Sequence, residues 1–295
     1  MDLPPTRVSY PDGAVASTGT VLHVEALAGG RSAVVLDRTA FHPVDAAWPD
    51  QPADRGSLRW ASGSGAIVDA VTGGVREGEL LLGAELPVRM GTPEWTFVVA
   101  HLIEGEAPAV GEHVEVAVDA EHRRALSAGH TACHLASLAL DAALADAWSK
   151  PVGSDALGHP AFDDLAIQSS RIEPFGSLDV YRVGKSLRKK GFDPAALADP
   201  DAVAARANEA LAAWVAAGAR IRIDRDGDEL STRRSWVCEL PEGEVRIPCG
   251  GTHLTGLDGV ASVAVALDTV AVPGGAELTM RTTAEPAAAP AQPPR

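Results

Sequence analysis

The sequence is poor in several residue types, and each shortage argues against a class of protein. Its 295 residues include only three cysteines, an odd and low number that argues against a disulfide framework and fits a reducing cytosol. No run approaches the roughly 20 apolar residues that a membrane helix needs. The N-terminal stretch MDLPPTRVSYPDG has neither the basic segment nor the apolar core of a signal peptide. We therefore expect a cytoplasmic protein without a membrane partner.

Positive charge is scarce as well. The formal net charge is −15, whereas proteins that depend on non-specific phosphate contacts are usually basic. DNA is therefore not an expected partner, and any RNA has to meet a local basic surface. Three of the four lysines fall in RVGKSLRKK, residues 182–190, which we call the basic segment. Taken alone, the basic segment can equally be a solvated helix face.

The first part of the chain is typical of β-structure. Residues 1–118 hold several short strands punctuated by glycine and proline, which predicts a small β-barrel domain. In EHVEVAVD, Val114, Val116 and Val118 alternate with polar or small residues, as in a strand with one buried face. The stretch 42–56 contains three prolines and is expected to be a loop.

Residues 119–283 mix helices with strands and predict a second domain, of the α+β class, with helices packed against an antiparallel sheet. A helix is expected to begin near Asp119, and another is expected over 199–218, with Asp before Pro at its start and Gly at its end. The stretch SLDVYRVGKSLRKKG, residues 177–191, also has helical character. The Pro/Ala-rich tail 284–295 is expected to be disordered.

Two short motifs carry the chemistry. In GHTACHLA, His130 and His134 lie four residues apart, so a helix presents both imidazoles on one face. In CGGTHL, Cys249 and His253 have the same separation, with two glycines between them that relax the backbone. Three imidazoles and one thiolate suit zinc, which favours tetrahedral coordination by nitrogen and sulfur. The sequence therefore predicts one zinc site built from both motifs.

Cys133 is a rival for the sulfur position. It directly precedes His134 and lies close to the stripe that carries His130. The alternative is that Cys133 is a small buried residue without a role in metal binding.

The two motifs occur in a wider pattern. HTACH followed by CGGTH resembles the paired zinc motif of the editing domain of alanyl-tRNA synthetases and of their freestanding relatives, the AlaX-type trans-editing proteins. VVLDRTAFHP (34–43), DQPADRGSL (50–58) and VDAEHRRALSAGH (118–130) resemble the barrel domain of the longer AlaX forms and the start of the helix. The resemblance covers most of 20–145 and 233–280.

The resemblance implies a zinc-dependent hydrolase that removes a wrong amino acid from the aminoacylated 3′ end of tRNA. It implies an N-terminal β-barrel followed by an editing-type domain, with His130, His134, Cys249 and His253 as the zinc ligands. Thr39 matches a threonine that senses the amino-acid side chain. Gln51 matches the glutamine that closes a glycine-rich motif, but this chain has WPDQ where the family has glycines before that glutamine.

Further roles follow if the substrate is a charged tRNA. Candidate hydrogen-bond donors beside the metal are the side chain of Thr252 and the backbone amides of Gly250 and Gly251. Candidate substrate contacts are Gly250, Gly251 and Cys133. The basic segment then becomes a phosphate-binding surface, which positions RNA without reading its sequence. Its candidate contacts are Arg182, Lys185, Arg188, Lys189 and Lys190.

Several alternatives stay open from the sequence. The amino acid removed is serine, glycine or alanine, or else a threonine analogue, as in the specialised relatives typified by fluorothreonyl-tRNA deacylase. The zinc ion acts directly on the ester, anchors the substrate or only shapes the pocket. A metal-dependent hydrolase of a small ester or amide, and a zinc-stabilised tRNA-binding module without turnover, are the rival functions. The oligomeric state is not fixed by the sequence.

Overall fold

The computed structural model describes residues 2–287, which form a mixed fold made mostly of sheet. The chain divides into two compact units. Among the described residues, the first consists of 2–124, 223–235 and 248–252, and the second of 125–222, 236–247 and 253–287. The predicted combination of helices and sheets is confirmed. Four α-helices occur within the described residues: α1 (Ala120–Ala143), α2 (Phe162–Ala166), α3 (Lys185–Lys189) and α4 (Pro200–Ala217).

The first unit contains one large antiparallel sheet. The strands up to residue 118 are β1 (Arg7–Val8), β2 (Ala16–Leu27), β3 (Arg31–Leu36), β4 (Arg38–Thr39), β5 (Gly56–Trp60), β6 (Gly63–Arg76), β7 (Glu79–Leu82), β8 (Thr96–Glu104) and β9 (His113–Val118). In the large sheet they pair in the order β5-β9-β2-β3-β8-β6-β7, and β5 also pairs with β6. In β9 the valines at 114, 116 and 118 are buried and the residues between them are exposed, as the alternating pattern predicts.

The segment between β4 and β5 is a loop, as its prolines predict. It is nevertheless firmly held. The carboxylate of Asp54 is buried, forms an ion pair with the guanidinium of Arg123 and accepts a hydrogen bond from the amide of His42 at 2.6 Å. A buried ion pair with all its hydrogen bonds made fixes the chain locally, because separating its charges leaves one uncompensated. Asp54, three residues after Gln51, therefore anchors this end of the loop to Arg123.

The second unit is built on a four-stranded antiparallel sheet in the order β10-β11-β16-β15. Its strands are β10 (Ile167–Glu173), β11 (Gly176–Val183), β15 (Val260–Val272) and β16 (Gly275–Pro286), and a separate three-stranded sheet contains β12 (Ile221–Arg225), β13 (Arg234–Leu240) and β14 (Gly243–Pro248). The hairpin of β15 and β16 is long and nearly regular, with one irregularity close to Val260.

Helix α4 agrees with its sequence signals. The side chain of Asp199 accepts a hydrogen bond from the amide of Ala202 at 3.0 Å, and Gly218 ends the helix in the left-handed conformation with φ of 64°. The side chain of Asn208 exchanges two hydrogen bonds with the backbone of Val265. Since β15 is the edge strand of its sheet, these bonds occupy backbone groups that another strand would otherwise pair with.

The predicted helix over 177–191 is wrong for its first half. Residues 176–183 form strand β11, and only the five residues of α3 are helical in that stretch. The side chains of Asp179, Tyr181 and Val183 are buried while their neighbours at 180 and 182 are less so, which is the period of two that a strand requires. Pairing on both edges, with β10 and with β16, overrides the helical propensity of the sequence.

The predicted tail falls partly outside the described residues. Strand β16 continues to Pro286, so 284–286 belong to the sheet, and the amide of Ala284 donates to the carbonyl of Phe175 at 2.8 Å. Residues 288–295 lie outside the part of the chain that the structure describes. The division into domains at residue 119 stays a prediction. Within residues 2–287, no helix has both the length and the hydropathy that crossing a bilayer requires.

Candidate metal centre

The four residues of the two motifs come together. One potential ligand atom from each lies within 4.8 Å of all the others, which is close enough for a single metal ion. We call His130, His134, Cys249 and His253 the ligand cluster. The ring centroids of the three histidines are 4.3 to 5.0 Å apart. The structure therefore places in one cluster the two pairs that the sequence separates by more than a hundred positions, and this cluster can hold a metal.

The donor chemistry of the ligand cluster fits a metal ion. The Nε2 atom of His134 is buried and has no hydrogen-bond partner within the described residues, a deficit that a coordinated ion would relieve. Burial lowers the pKa of His134 to about 4, so the imidazole is neutral at physiological pH and its lone pair is available. Burial raises the pKa of Cys249 to about 12, and metal binding at such a thiol releases its proton. Three nitrogen donors and one sulfur suit zinc, whose identity stays a prediction.

The histidine pair is positioned by the close approach of helix α1 to the turn between β10 and β11. A Cβ atom on Gly129 would lie 2.2 Å from the carbonyl oxygen of Glu173 and 2.6 Å from that of Gly176. The amide of Phe175 also donates to the carbonyl of Ala125 at 2.8 Å. Because Gly129 directly precedes His130, the absence of its side chain sets the depth at which the first histidine lies. The sequence analysis missed this role, although the glycine inside a helical pattern signals it.

Thr131 is a second residue that the sequence analysis missed. Its hydroxyl oxygen accepts a hydrogen bond from the amide of Leu254 at 3.1 Å and lies 3.4 Å from Nδ1 of His253. The side chain is almost completely buried. A polar partner on one ring nitrogen fixes the orientation of an imidazole, so Thr131 can support His253 without contacting a metal itself. The sequence signal that could have identified Thr131 is its position between the two histidines of HTACH.

Trp236 forms an apolar wall beside the histidines. Its ring centroid lies 5.1 Å from that of His134 and 6.0 Å from that of His253, and the residue is fully buried. An apolar neighbour of this size excludes water from one side of the rings and contributes to the low pKa of His134. The sequence pattern predicts no role for Trp236 at this site.

The other two ligands lie in the segment 249–254, which we call the ligand loop. The amide of Cys249 donates to the carbonyl of Arg234 at 3.1 Å, and the amide of Gly251 donates to the Sγ of Cys249 at 3.4 Å. Neither Gly250 nor Gly251 has a positive φ angle, so the left-handed conformation that glycine permits is not what bends this loop. The conformation is fixed instead by hydrogen bonds, including those of Thr252.

Thr252 is bound by Gln51 through two hydrogen bonds. The amide nitrogen Nε2 of Gln51 donates to the hydroxyl oxygen of Thr252 at 2.9 Å, and Oε1 accepts from the backbone amide of Thr252 at 3.0 Å. Gln51 and Thr252 are 2% and 3% exposed, so both bonds are shielded from water. The predicted substrate contact of Gln51 and the predicted donor role of Thr252 are not tested by this geometry and stay predictions.

Cys133 lies outside the ligand cluster. Its Sγ is 3.6 Å from a carboxylate oxygen of Asp179 and 3.7 Å from the hydroxyl of Ser170. Burial, reinforced by the charge of Asp179, raises the pKa of this thiol well above its usual value. Because its Sγ is directed at Asp179 and Ser170 and lies outside the cluster, the geometry favours the alternative of a residue without a role in metal binding.

Thr39 is enclosed among hydrogen bonds of its own unit. Its hydroxyl lies 2.9 Å from Nε2 of His101 and accepts from the amide of Phe41 at 3.1 Å. Nδ1 of His101 is 3.0 Å from the carbonyl of Val34, so this nitrogen carries the proton and Nε2 accepts from the hydroxyl of Thr39. Thr39 is 1% exposed. Its proposed recognition of an amino-acid side chain remains a prediction.

The basic segment is partly engaged by the protein itself. The guanidinium of Arg182 donates to the carbonyl of Pro273, and that of Arg188 donates to the carbonyl of Gly274 at 3.3 Å. Lys185, Lys189 and Lys190 are exposed at and beside the short helix α3, which is attached through the buried Leu187. The five cations therefore divide into two arginines that bind the turn of the β15–β16 hairpin and three lysines that face solvent.

Part of the chain is similar to known proteins. It is 32% identical over 135 residues to the alanine–tRNA ligase of Caldivirga maquilingensis, covering 46% of this chain and 12% of the ligase. It is 35% identical over 106 residues to the alanine–tRNA ligase of Methanopyrus kandleri, covering 36% of this chain and 9% of that protein. The corresponding values for Pyrobaculum neutrophilum are 36% over 136 residues, 45% and 12%.

These similarities concern a part of much longer proteins, since the chain spans 12% or less of the length of each of these relatives. A search against protein-family models found no match. The comparisons therefore show that nearly half of this chain resembles a segment of alanine–tRNA ligases.

Proposed function

We propose that this protein is a metal-dependent hydrolase that removes a wrongly attached amino acid from tRNA. The observation that carries the proposal is the ligand cluster, in which His130, His134, Cys249 and His253 lie within metal-binding distance. The similarity to alanine–tRNA ligases supports tRNA as the class of substrate. A second sieve of this kind is needed because one methylene gives a synthetase pocket only about 1–3 kcal/mol of discrimination.

The chemistry requires cleavage of the ester that joins the amino acid to the terminal ribose. A bound zinc ion supplies a Lewis acid for the ester carbonyl and lowers the pKa of water. The chain's own contribution is to hold the ester in a water-poor site bordered by Trp236. We propose that the hydroxyl of Thr252 and the amides of Gly250 and Gly251 orient the acyl group there, with Thr39, Gln51 and Cys133 as further substrate contacts.

The amino acid removed is the finer part of the proposal. Trp48 and Pro49 precede Gln51 where the resembling family has glycines, and Trp48 is 45% exposed although most aromatic residues of the protein are buried. We propose that Trp48 and Pro49 border the substrate-binding pocket, so this side of the pocket is bulkier and less flexible than in the family. This supports a non-alanine substrate such as a threonine analogue, with serine, glycine or alanine as the ordinary alternatives.

The decisive experiment is a deacylation screen over a panel of charged tRNAs. We expect wild-type protein to release one class of amino acid, and His130→Ala and Cys249→Ala to lose both turnover and bound metal. Cys133→Ala is the matched control for metal binding, since its thiol lies outside the ligand cluster, and it should retain bound metal. Release of serine from alanine tRNA with threonine analogues untouched would remove the specialised substrate. Metal binding without hydrolysis of any charged tRNA would favour the binding module.

The basic segment supplies a separate test of tRNA as the substrate. We propose that Lys185, Lys189 and Lys190 contact phosphates, whereas Arg182 and Arg188 act mainly through the hairpin turn that they bind. Replacing the three lysines with glutamine should raise the KM for charged tRNA without changing kcat. Each lost phosphate contact should reduce the slope of log affinity against log salt by about 1. Unchanged kinetics would favour an enzyme that acts on a small ester or amide.

The proposal also covers the N-terminal fold, the domain boundary and the cellular location. The additional pairing of β5 with β6 supports a closed N-terminal β-barrel. We retain a boundary at residue 119 between that barrel domain and the zinc-containing editing domain. We also place the protein in the cytoplasm, where charged tRNA occurs and where a thiolate ligand stays reduced.

A further inference from the structure

We propose that Gln51 is a positioning residue that sets the geometry of the ligand loop, and that it acts through Thr252 on the metal ligand Cys249. The inference rests on the metal centre of the proposed function but not on the identity of its substrate. It gives Gln51 a task beyond the substrate contact that its position in the WPDQ stretch suggests.

Gln51 holds Thr252 through two hydrogen bonds, a contact that we call the clamp. The side-chain amide of Gln51 donates to the hydroxyl of Thr252 and accepts from its backbone amide, so it fixes both the rotamer of Thr252 and the path of the chain at this point. Two hydrogen bonds from one planar amide leave little freedom of rotation. Both residues are almost fully buried, so water cannot replace either bond if it is broken.

The clamp is itself attached to a rigid part of the first unit. Three residues after Gln51, the carboxylate of Asp54 is buried and binds the guanidinium of Arg123. That guanidinium also donates to the carbonyl of Ala40 at 2.8 Å. The segment that carries Gln51 is therefore held three residues downstream by a buried ion pair, which supports its role in positioning the ligand loop.

The ligand loop places Thr252 three residues after Cys249. The segment 250–253 contains no regular secondary structure, so helix or sheet hydrogen bonds do not set the path of the chain between these two residues. The amide of Cys249 donates to the carbonyl of Arg234, and its Sγ accepts a hydrogen bond from the amide of Gly251. Fixing Thr252 therefore restrains the short segment that carries the thiol. Partners that orient the ligands of a metal commonly contribute 10–100-fold to its affinity.

The experiment measures metal affinity and ligation rather than turnover. Gln51→Met keeps the length of the side chain and removes both hydrogen bonds. Thr252→Val removes only the hydroxyl acceptor, and Thr252→Ser keeps both bonds. Gln168→Met, at an exposed glutamine whose side-chain amide donates to the carbonyl of its neighbour Ile167, is the matched control. The full chain is titrated with Co²⁺ against a chelator, and the thiolate-to-cobalt charge-transfer band reports the Cys249 bond.

We expect Gln51→Met to lower Co²⁺ affinity by about 10–100-fold and to weaken the charge-transfer band. Thr252→Val should have a smaller effect in the same direction, and Thr252→Ser and Gln168→Met should match wild type. Circular dichroism of the metal-free variants confirms that each is folded at the temperature of the titration. Should Gln51→Met fail to fold, the comparison of Thr252→Val with Thr252→Ser decides, and equal affinities would overturn the inference.

Two results separate this inference from the proposed function. If Gln51→Met raises the KM for charged tRNA while Co²⁺ affinity and the spectrum stay unchanged, Gln51 is a substrate contact alone and the inference fails. If wild type deacylates no charged tRNA but Gln51→Met still loses affinity, the proposed substrate is wrong and the inference stands.

Discussion

The two halves of the ligand cluster are built in different ways. His130 and His134 lie on helix α1, where backbone hydrogen bonds between residues four apart set their spacing. Cys249 and His253 have the same separation in sequence but lie on a loop. One described contact that restrains this loop, from Gln51 to Thr252, joins residues 201 positions apart. Equal spacing thus has two physical origins, one local and one dependent on the completed fold.

This difference predicts which substitutions should disturb only the substituted residue and which should move its neighbours as well. On the helix, removing one side chain leaves the neighbouring histidine in place, because the backbone does not depend on it. On the loop, removing a contact allows the whole segment to move. The following predictions test this contrast, from the largest expected effect on the metal centre to the smallest.

Removal of a ligand should have the largest effect, whichever half it comes from. His134→Ala and Cys249→Ala should each lower zinc affinity by more than the roughly 10–100-fold that loss of an orienting partner causes. Metal content after dialysis against a chelator measures this, with Cys133→Ala as the control. Full retention of metal by Cys249→Ala would show that the loop half does not ligate.

Gly129→Ala should damage the helix half through packing. In an unobstructed helix this change stabilises a protein, since alanine has the higher helix propensity. Here the new Cβ meets the carbonyl of Glu173 at 2.2 Å, so α1 has to move and carry His130 with it. We expect a loss of about 1–3 kcal/mol in the free energy of unfolding, measured in urea, together with weaker zinc binding. A gain in stability would contradict the close approach.

Thr131→Val should weaken zinc binding by about 10-fold, because it removes the hydroxyl that supports His253 and binds the amide of Leu254. Thr131→Ser retains the hydroxyl and should restore the affinity. Chelator competition on both variants checks the prediction. If valine and serine bind zinc equally, the contact at 3.4 Å has no role in orienting the imidazole.

Asp141→Asn should leave the metal centre unchanged although it lies on the same helix. Asp141 is buried, and burial raises the pKa of its carboxyl to about 9. Between pH 4 and 9 the folded protein therefore binds a proton that the unfolded chain releases, so this carboxyl makes stability fall as pH rises. The variant should be less sensitive to pH over that range in thermal unfolding, with zinc affinity equal to wild type. An identical pH profile would show that Asp141 titrates normally.

Sequence reasoning succeeded where structure is local. The end signals of α4, the loop after β4 and the alternating valines of β9 all agree with the structure. It failed for 177–183, where helical residue types were outweighed by pairing on both edges of β11. It also missed Gly129, Thr131 and Trp236, whose parts in the metal centre depend on what lies opposite them in the fold.

The sequence by itself determined the chemistry of the centre: three imidazoles and a thiol, in pairs spaced for one face of a helix and for one short loop. Only the tertiary structure decided that both pairs meet, that Cys133 turns to Asp179 instead, and that Arg182 and Arg188 bind a hairpin turn. The physical reason is how far apart in the sequence the contacting residues lie. Helix hydrogen bonds join residues four apart and can be inferred from a short window, whereas the contacts that aim a loop or occupy an arginine join residues whose proximity exists only after folding.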